Sequence, residues 1–151
     1  MGASPPVPDF REPTPLEKLF NRAFGLLVGL GVAPKYAYLL QVRGRKSGRV
    51  HSTPVSVLET GGKIFLIAPR GRTQWVRNVE VSGEIRLKRG NSVQRFRAVA
   101  IPEAQRPVLL KLYVQRFTAS VQRYFPVAAA SPPEAFRSIA ANYPVFELVA
   151  A

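Results

Sequence analysis

The sequence reads as an α+β fold, a small and mostly antiparallel β-barrel of about six strands with peripheral helices. Three observations point to it. After Ala37 the apolar pattern changes from helical spacing to short stretches with the two-residue period of strands. Glycine-bearing turns, Thr60-Gly61-Gly62-Lys63 and Gly90-Asn91, join neighbouring stretches at hairpin spacing. Helical patterns lie mainly outside the strand-rich middle, and closing the sheet would remove exposed edges.

In chain order, residues 1–13 are rich in Pro and small residues without periodicity and read as a flexible arm, leaving 14–151 as one domain. Thr14-Pro15-Leu16-Glu17 has the form of a capping box, and Gly31 offers a stop, so a helix is expected over about 15 to 30. Leu16, Leu19, Phe20, Ala23, Phe24, Leu27 and Leu30 give it a core-packing stripe; Leu26 and Val28 widen that stripe enough to allow a partner or membrane contact. Strands follow at Tyr38 to Val42, Pro54 to Leu58 and Ile64 to Ala68. A short helical or irregular segment covers Thr73 to Val81. A second hairpin pairs Glu84 to Arg89 with Val93 to Ile101, and Phe96 and Ala98 fall on the face opposite Arg97 and Val99. Helical segments at about Pro107 to Tyr124 and Pro133 to Ala141 precede a closing strand, Val145 to Val149.

Composition narrows the chemistry. The chain has no cysteine, which excludes disulfides, thiolate metal sites and a Cys nucleophile, and its single histidine, His51, cannot build a zinc site alone. No metal is expected. No apolar run approaches the roughly 18 residues that span a bilayer, so a soluble cytoplasmic protein is expected; contact with the inner face of the cell membrane is left open for the N-terminal helix. The net charge of +13 raises the local concentration of polyanions, whether nucleic acid, an acidic membrane surface or a small anionic cofactor. The nine acidic residues are scattered without a carboxylate pair, which argues against hydrolysis.

The charge is densest at Arg43-Gly44-Arg45-Lys46-Ser47-Gly48-Arg49, four cations in seven residues, followed by Val50-His51-Ser52-Thr53-Pro54. Glycines permit close backbone approach, hydroxyls donate, and Arg and Lys bind phosphate or carboxylate. The run resembles neither a P-loop nor a dinucleotide-binding fingerprint, since a strand rather than a helix follows it.

Three ordered blocks resemble the deazaflavin-dependent nitroreductase and quinone reductase family, split-barrel proteins of the FMN-binding-like superfamily that use reduced coenzyme F420. They are Gly44-Arg45-Lys46-Ser47-Gly48 with Ser52-Thr53-Pro54-Val55, then Ala68-Pro69-Arg70-Gly71, then Trp75-Val76-Arg77-Asn78. The resemblance implies a split barrel and an oxidoreductase that passes a hydride from the reduced coenzyme to a quinone, an enone or a nitro compound. It also implies that Arg45, Lys46, Ser47 and Arg49 contact the coenzyme's phosphate and acidic tail, and that Thr53, Pro54 and Val55 line the mouth of the ring site. Ala68, Pro69, Arg70 and Gly71 would lie along the ring and its linker, with Trp75 and Asn78 completing the pocket. His51 stands about where many relatives have arginine, which makes its contact with phosphate dependent on imidazole protonation. Tyr113, Tyr124 and Tyr143 are the candidate proton donors, each with the alternative of a buried ring whose hydroxyl has found a partner.

Two other readings stand beside this one. A split barrel without redox chemistry could bind a fatty acid, haem or flavin, and FMN is a second-ranked cofactor for the enzyme itself. A nucleic-acid-binding barrel, ranked lower, would use Arg86, Lys88, Arg89, Arg95 and Arg97 on phosphates and Phe96 for stacking. A monomer and a homodimer are both compatible with the sequence.

Overall fold

The computed structural model describes residues 35–151, so the expected arm and N-terminal helix lie outside the described residues. Seven antiparallel strands form one sheet among these residues: β1 (Ala37–Arg43), β2 (Val50–Ser56), β3 (Leu58–Thr60), β4 (Lys63–Ile67), β5 (Glu84–Arg89), β6 (Ser92–Ala100) and β7 (Val145–Ala150). Helix α1 (Gln74–Ser82) lies between β4 and β5. Helices α2 (Arg106–Arg116) and α3 (Thr118–Val121), with 3-10 turns at Glu103–Gln105, Gln122–Tyr124 and Pro133–Asn142, fill the chain between β6 and β7.

The strand order β2-β1-β5-β6-β7-β4-β3 explains the curvature. The two edge strands, β2 and β3, are separated in sequence by Val57 alone, so the chain must step from one edge of the sheet to the other within a single residue. Only a sheet curled back on itself permits that step. Val57 donates its N–H to the Tyr36 carbonyl at 3.0 Å, and its side chain is buried; Leu58 then pairs with Phe65. This step is why there are seven strands rather than six. The expected strand Pro54 to Leu58 begins earlier, at Val50, and divides at Val57.

The curled sheet separates two apolar clusters. Leu40 and Val42 of β1, Leu66 of β4, Ile85 and Leu87 of β5, Phe96 of β6 and Phe146 and Leu148 of β7 meet Val76 and Val79 of α1. Residues from strands near both edges can share one cluster only on the concave side. The opposite faces of β4 and β7, through Phe65, Ile67 and Val145, pack against α2 and the 3-10 segment with Leu110, Val114, Phe136 and Ile139. Burial of each such side chain contributes about 1.5–3 kcal/mol, and alternate residues of β4 serve the two clusters, Phe65 and Ile67 one, Ile64 and Leu66 the other.

Both expected hairpins form. Thr60 pairs with Lys63, and Arg89 pairs with Ser92, across two-residue turns whose glycines have positive φ. The helix expected over Pro107 to Tyr124 instead breaks at Phe117, which leaves helical geometry at φ −118 and ψ 33. Its ring sits edge-on to Tyr113 and Tyr36, and that packing competes with helix continuation. On β6, Phe96 is 3% exposed and faces the concave cluster, whereas Arg95 and Arg97 face outward. The arginines therefore have no interleaved stacking ring from Phe96.

Candidate functional site

The Arg43 to Pro54 run is a β-hairpin. Register places Val42 opposite His51 and Arg43 opposite Val50, leaving residues 44–49 as the turn. The turn is closed by the Gly44 N–H on the Arg49 carbonyl at 2.7 Å and the Gly48 N–H on the Gly44 carbonyl at 2.9 Å. Gly48 sits at φ +74, where a side chain would be strained. Gly44 is in close contact for a different reason: a Cβ there would lie 2.8 Å from His51 Nε2 and 3.0 Å from Ser47 Oγ, so the imidazole packs directly on the turn backbone.

Helix α1 fastens this turn from below. The Arg45 backbone N–H and Nη1 both donate to Asn78 Oδ1, at 3.1 and 2.8 Å, and Nη2 donates to Gln74 Oε1 at 2.9 Å. Gln74 and Asn78 are four residues apart and so share one helix face. Asn78 is only 5% exposed. The first turn of α1 holds no acidic residue, so the positive end of the helix is not cancelled from within.

Between turn and helix lies a pocket of about 410 Å³, lined by Val42, Gly44, Arg45, Lys46, Ser47, His51, Ser52, Thr53, Gln74, Trp75 and Asn78. None of these is a carboxylate. Trp75 forms part of the lining and packs on Phe146 of the concave cluster, with ring centroids 6.4 Å apart. Cations, hydroxyls, a helix N-terminus and an aromatic ring together suit an anionic ligand with a flat apolar portion.

The structure thus brings together seven of the residues singled out from sequence: Arg45, Lys46, Ser47, His51, Thr53, Trp75 and Asn78. Arg49 lies at the exposed end of the turn, its N–H donating to Ser47 Oγ at 3.2 Å. Pro54 and Val55 lie further along β2, opposite Leu39 and Tyr38, and Val55 packs against the concave cluster. Ala68, Pro69, Arg70 and Gly71 connect β4 to α1 without lining the pocket. Ala68 is buried, its N–H on the Pro144 carbonyl at 3.0 Å, and Gly71 turns the chain by donating to the Ala68 carbonyl at 3.1 Å. Val42 and Gln74 line the pocket and were not singled out, and Ser52, quoted with the first block, was given no role of its own. Helical spacing from Asn78 would have found Gln74, and strand alternation from Leu40 would have found Val42.

The three tyrosines lie elsewhere, in or against the cluster on the opposite sheet face. Tyr113 is 2% exposed, and burial, followed by the neighbouring Tyr124, pushes its phenol well above the usual range. Tyr143 stacks on Phe125 at 4.2 Å and donates its hydroxyl to the Tyr124 carbonyl; burial pushes its pKa up to about 12. The Tyr124 hydroxyl accepts from Arg123 Nη2 at 2.6 Å.

Solved structures place this fold. The Agrobacterium tumefaciens C58 protein Atu2129, of unknown function, matches with a TM-score of 0.53 and 19% identity over 76% of this chain and 48% of that one, so the chain spans about half its length. An F420-H2 dependent reductase, FDR-A, matches with a TM-score of 0.51 and 21% identity over 76% of this chain and 94% of that one. A Listeria innocua protein assigned as a candidate pyridoxamine 5'-phosphate oxidase gives a TM-score of 0.51 and 10% identity over 76% of this chain and 83% of that one. A search of curated proteins finds no match. Fold and pocket define the class: a split-barrel protein with a cationic cleft at one hairpin. Within that class, the family model for F420H(2)-dependent quinone reductase matches residues 17–128, and the chain belongs to that family of oxidoreductases, whose coenzyme is reduced F420. Among the described residues no helix is long and apolar enough to cross a membrane.

Proposed function

We propose that the pocket beneath the basic turn holds the anionic part of reduced coenzyme F420, and that the protein reduces a small electrophilic acceptor such as a quinone, an enone or a nitro compound. One observation carries this reading: α1 fastens the cationic turn over a pocket of about 410 Å³ that no carboxylate lines among the described residues. When bound, the coenzyme supplies a hydride. The residues of the chain bind and orient. Lys46 offers an exposed ammonium, and Ser47, Ser52 and Thr53 offer hydroxyl donors. The α1 N-terminus, which Thr73 does not cap through its side chain, adds backbone N–H groups. Trp75, braced by Phe146, presents a flat apolar surface to a ring system and keeps water from that side of the pocket.

The reading is tested by titrating the protein with reduced F420 at low and high salt, then measuring quinone-dependent oxidation of the coenzyme. Binding should weaken with salt, because charge-assisted contacts are screened. Lys46→Ala should weaken it by roughly tenfold, the worth of one charged hydrogen bond. Binding that ignores both salt and Lys46 would place the coenzyme elsewhere. Tight binding without oxidation by any acceptor would favour a non-catalytic barrel.

A further inference from the structure

We propose that Arg45 is a positioning residue: it fixes the basic turn to α1 through neutral amide acceptors and lends its charge to the pocket, leaving direct contact with the anion to Lys46 and Ser47. The inference rests on the reading of the pocket just given and assigns work within it. A carbonyl oxygen accepts about two hydrogen bonds, and Asn78 Oδ1 takes two, both from Arg45. Bidentate capture of a phosphate uses a guanidinium fork, and here one N–H from each of Nη1 and Nη2 is already committed to α1. The clasp also ties backbone to side chain, since the Arg45 amide shares the same acceptor. It therefore sets where residues 46 and 47 stand.

The chemistry of the acceptors matters as much as their position. Some cations on the surface meet carboxylates, as Arg72 does with Glu80 at 2.7 Å and Arg95 with Glu84 at 3.6 Å, and those pairs cancel charge. At the pocket both acceptors are amides, which orient a cation without cancelling its charge. An aspartate at position 78 would accept the same two hydrogen bonds and neutralise the field. Among the described residues no hydrogen bond or ion pair is formed by the Lys46 side chain. Ser47 Oγ accepts from the Arg49 N–H and keeps its own hydrogen to donate.

The test is a double-mutant cycle on the whole chain with Arg45→Ala, Asn78→Ala and both, read by thermal midpoint without ligand and by titration with reduced F420. Each single change should lower the midpoint by a few degrees and weaken binding by roughly tenfold, and the double should be little worse than either, because partners in one interaction are not additive. Asn78→Asp should keep or raise the midpoint while weakening binding. If Asn78→Ala does not fold, Gln74→Ala removes the more exposed half of the clasp, with a smaller loss of the same kind expected. Losses of binding that multiply, with Arg45→Ala much the worse, would make Arg45 a direct ligand and overturn the proposal. Wild-type binding by Asn78→Asp would overturn it too. Should the wild type bind no coenzyme, the functional reading falls, while the ligand-free cycle still decides the clasp: additive midpoints would refute it.

Discussion

The β1–β2 turn and the C-terminal helical layer are both rich in cations, and they use them in opposite ways. In the helical layer the long side chains are cement. Arg106 donates from Nε to the Ile101 carbonyl at 3.0 Å and from Nη1 to the Ala140 carbonyl at 3.0 Å. Lys111 Nζ joins the Ala129 and Ser131 carbonyls at 2.9 and 2.6 Å, and Arg116 Nη1 reaches the Glu59 carbonyl at 2.6 Å. Three of these acceptors, Ala129, Ser131 and Ala140, lie in the irregular chain from 116 to 144; Ile101 follows β6, and Glu59 lies on the edge strand β3. At the turn, Lys46 and Arg49 have no comparable side-chain bond among the described residues, and Arg45 alone is anchored. A net charge of +13 is therefore not one field with one purpose. Part of it holds the fold together, and part is left facing a pocket.

That contrast can be broken or sharpened by mutation. The largest effect should come from the apolar foundation of the helical layer: Phe136→Ala, at a fully buried position, should cost about 3–5 kcal/mol of stability in denaturant unfolding. Next, Lys111→Met should cost about 1–3 kcal/mol by leaving two carbonyls unpaired, whereas Lys46→Met should change stability by less than about 0.5 kcal/mol and weaken coenzyme binding instead. Equal stability losses at the two lysines would erase the distinction. A third effect separates the regions by pH. Tyr113 and Tyr143 have raised folded-state pKa values, so the unfolded chain releases their protons first; their contribution is intact below about pH 10 and is lost as pH rises toward about 12. Near-ultraviolet circular dichroism on raising the pH should show the aromatic layer loosening in that window. The smallest effect is expected at Gly44→Ala. The atoms in the way are the ends of the His51 and Ser47 side chains, which can swing aside, so stability should fall by under about 1 kcal/mol while the His51 ring resonances shift in NMR spectra.

How legible these two regions are in the sequence also differs. The hairpins at Gly61-Gly62 and Gly90-Asn91 depend on local backbone conformation, and glycines at positive φ advertise it. The basic turn is legible in part: its cations and glycines mark it, but the sequence reading begins the next strand at Pro54, whereas Val50 to Thr53 already pair with β1. The break at Val57 is not, because it depends on the Tyr36 carbonyl and on pairing with β4, both settled only when the sheet curls. The helix break at Phe117 likewise depends on ring packing against Tyr36 and Tyr113. In the site, the residue types were readable but their division of labour was not. Arg45 and Asn78 are 33 residues apart, and nothing local says that one is the acceptor for the other. Placement of Tyr113 and Tyr143 needed to know which face of the sheet α2 and the 3-10 segment would cover.

The most direct test of the central claim, that the basic turn and the first turn of α1 form the coenzyme's anion site, is amide hydrogen exchange with and without reduced F420. The expected result is added protection concentrated in residues 44–49 and 74–78, with little change in 106–143. Protection confined to the helical layer, or none at a coenzyme concentration that saturates the protein, would contradict it.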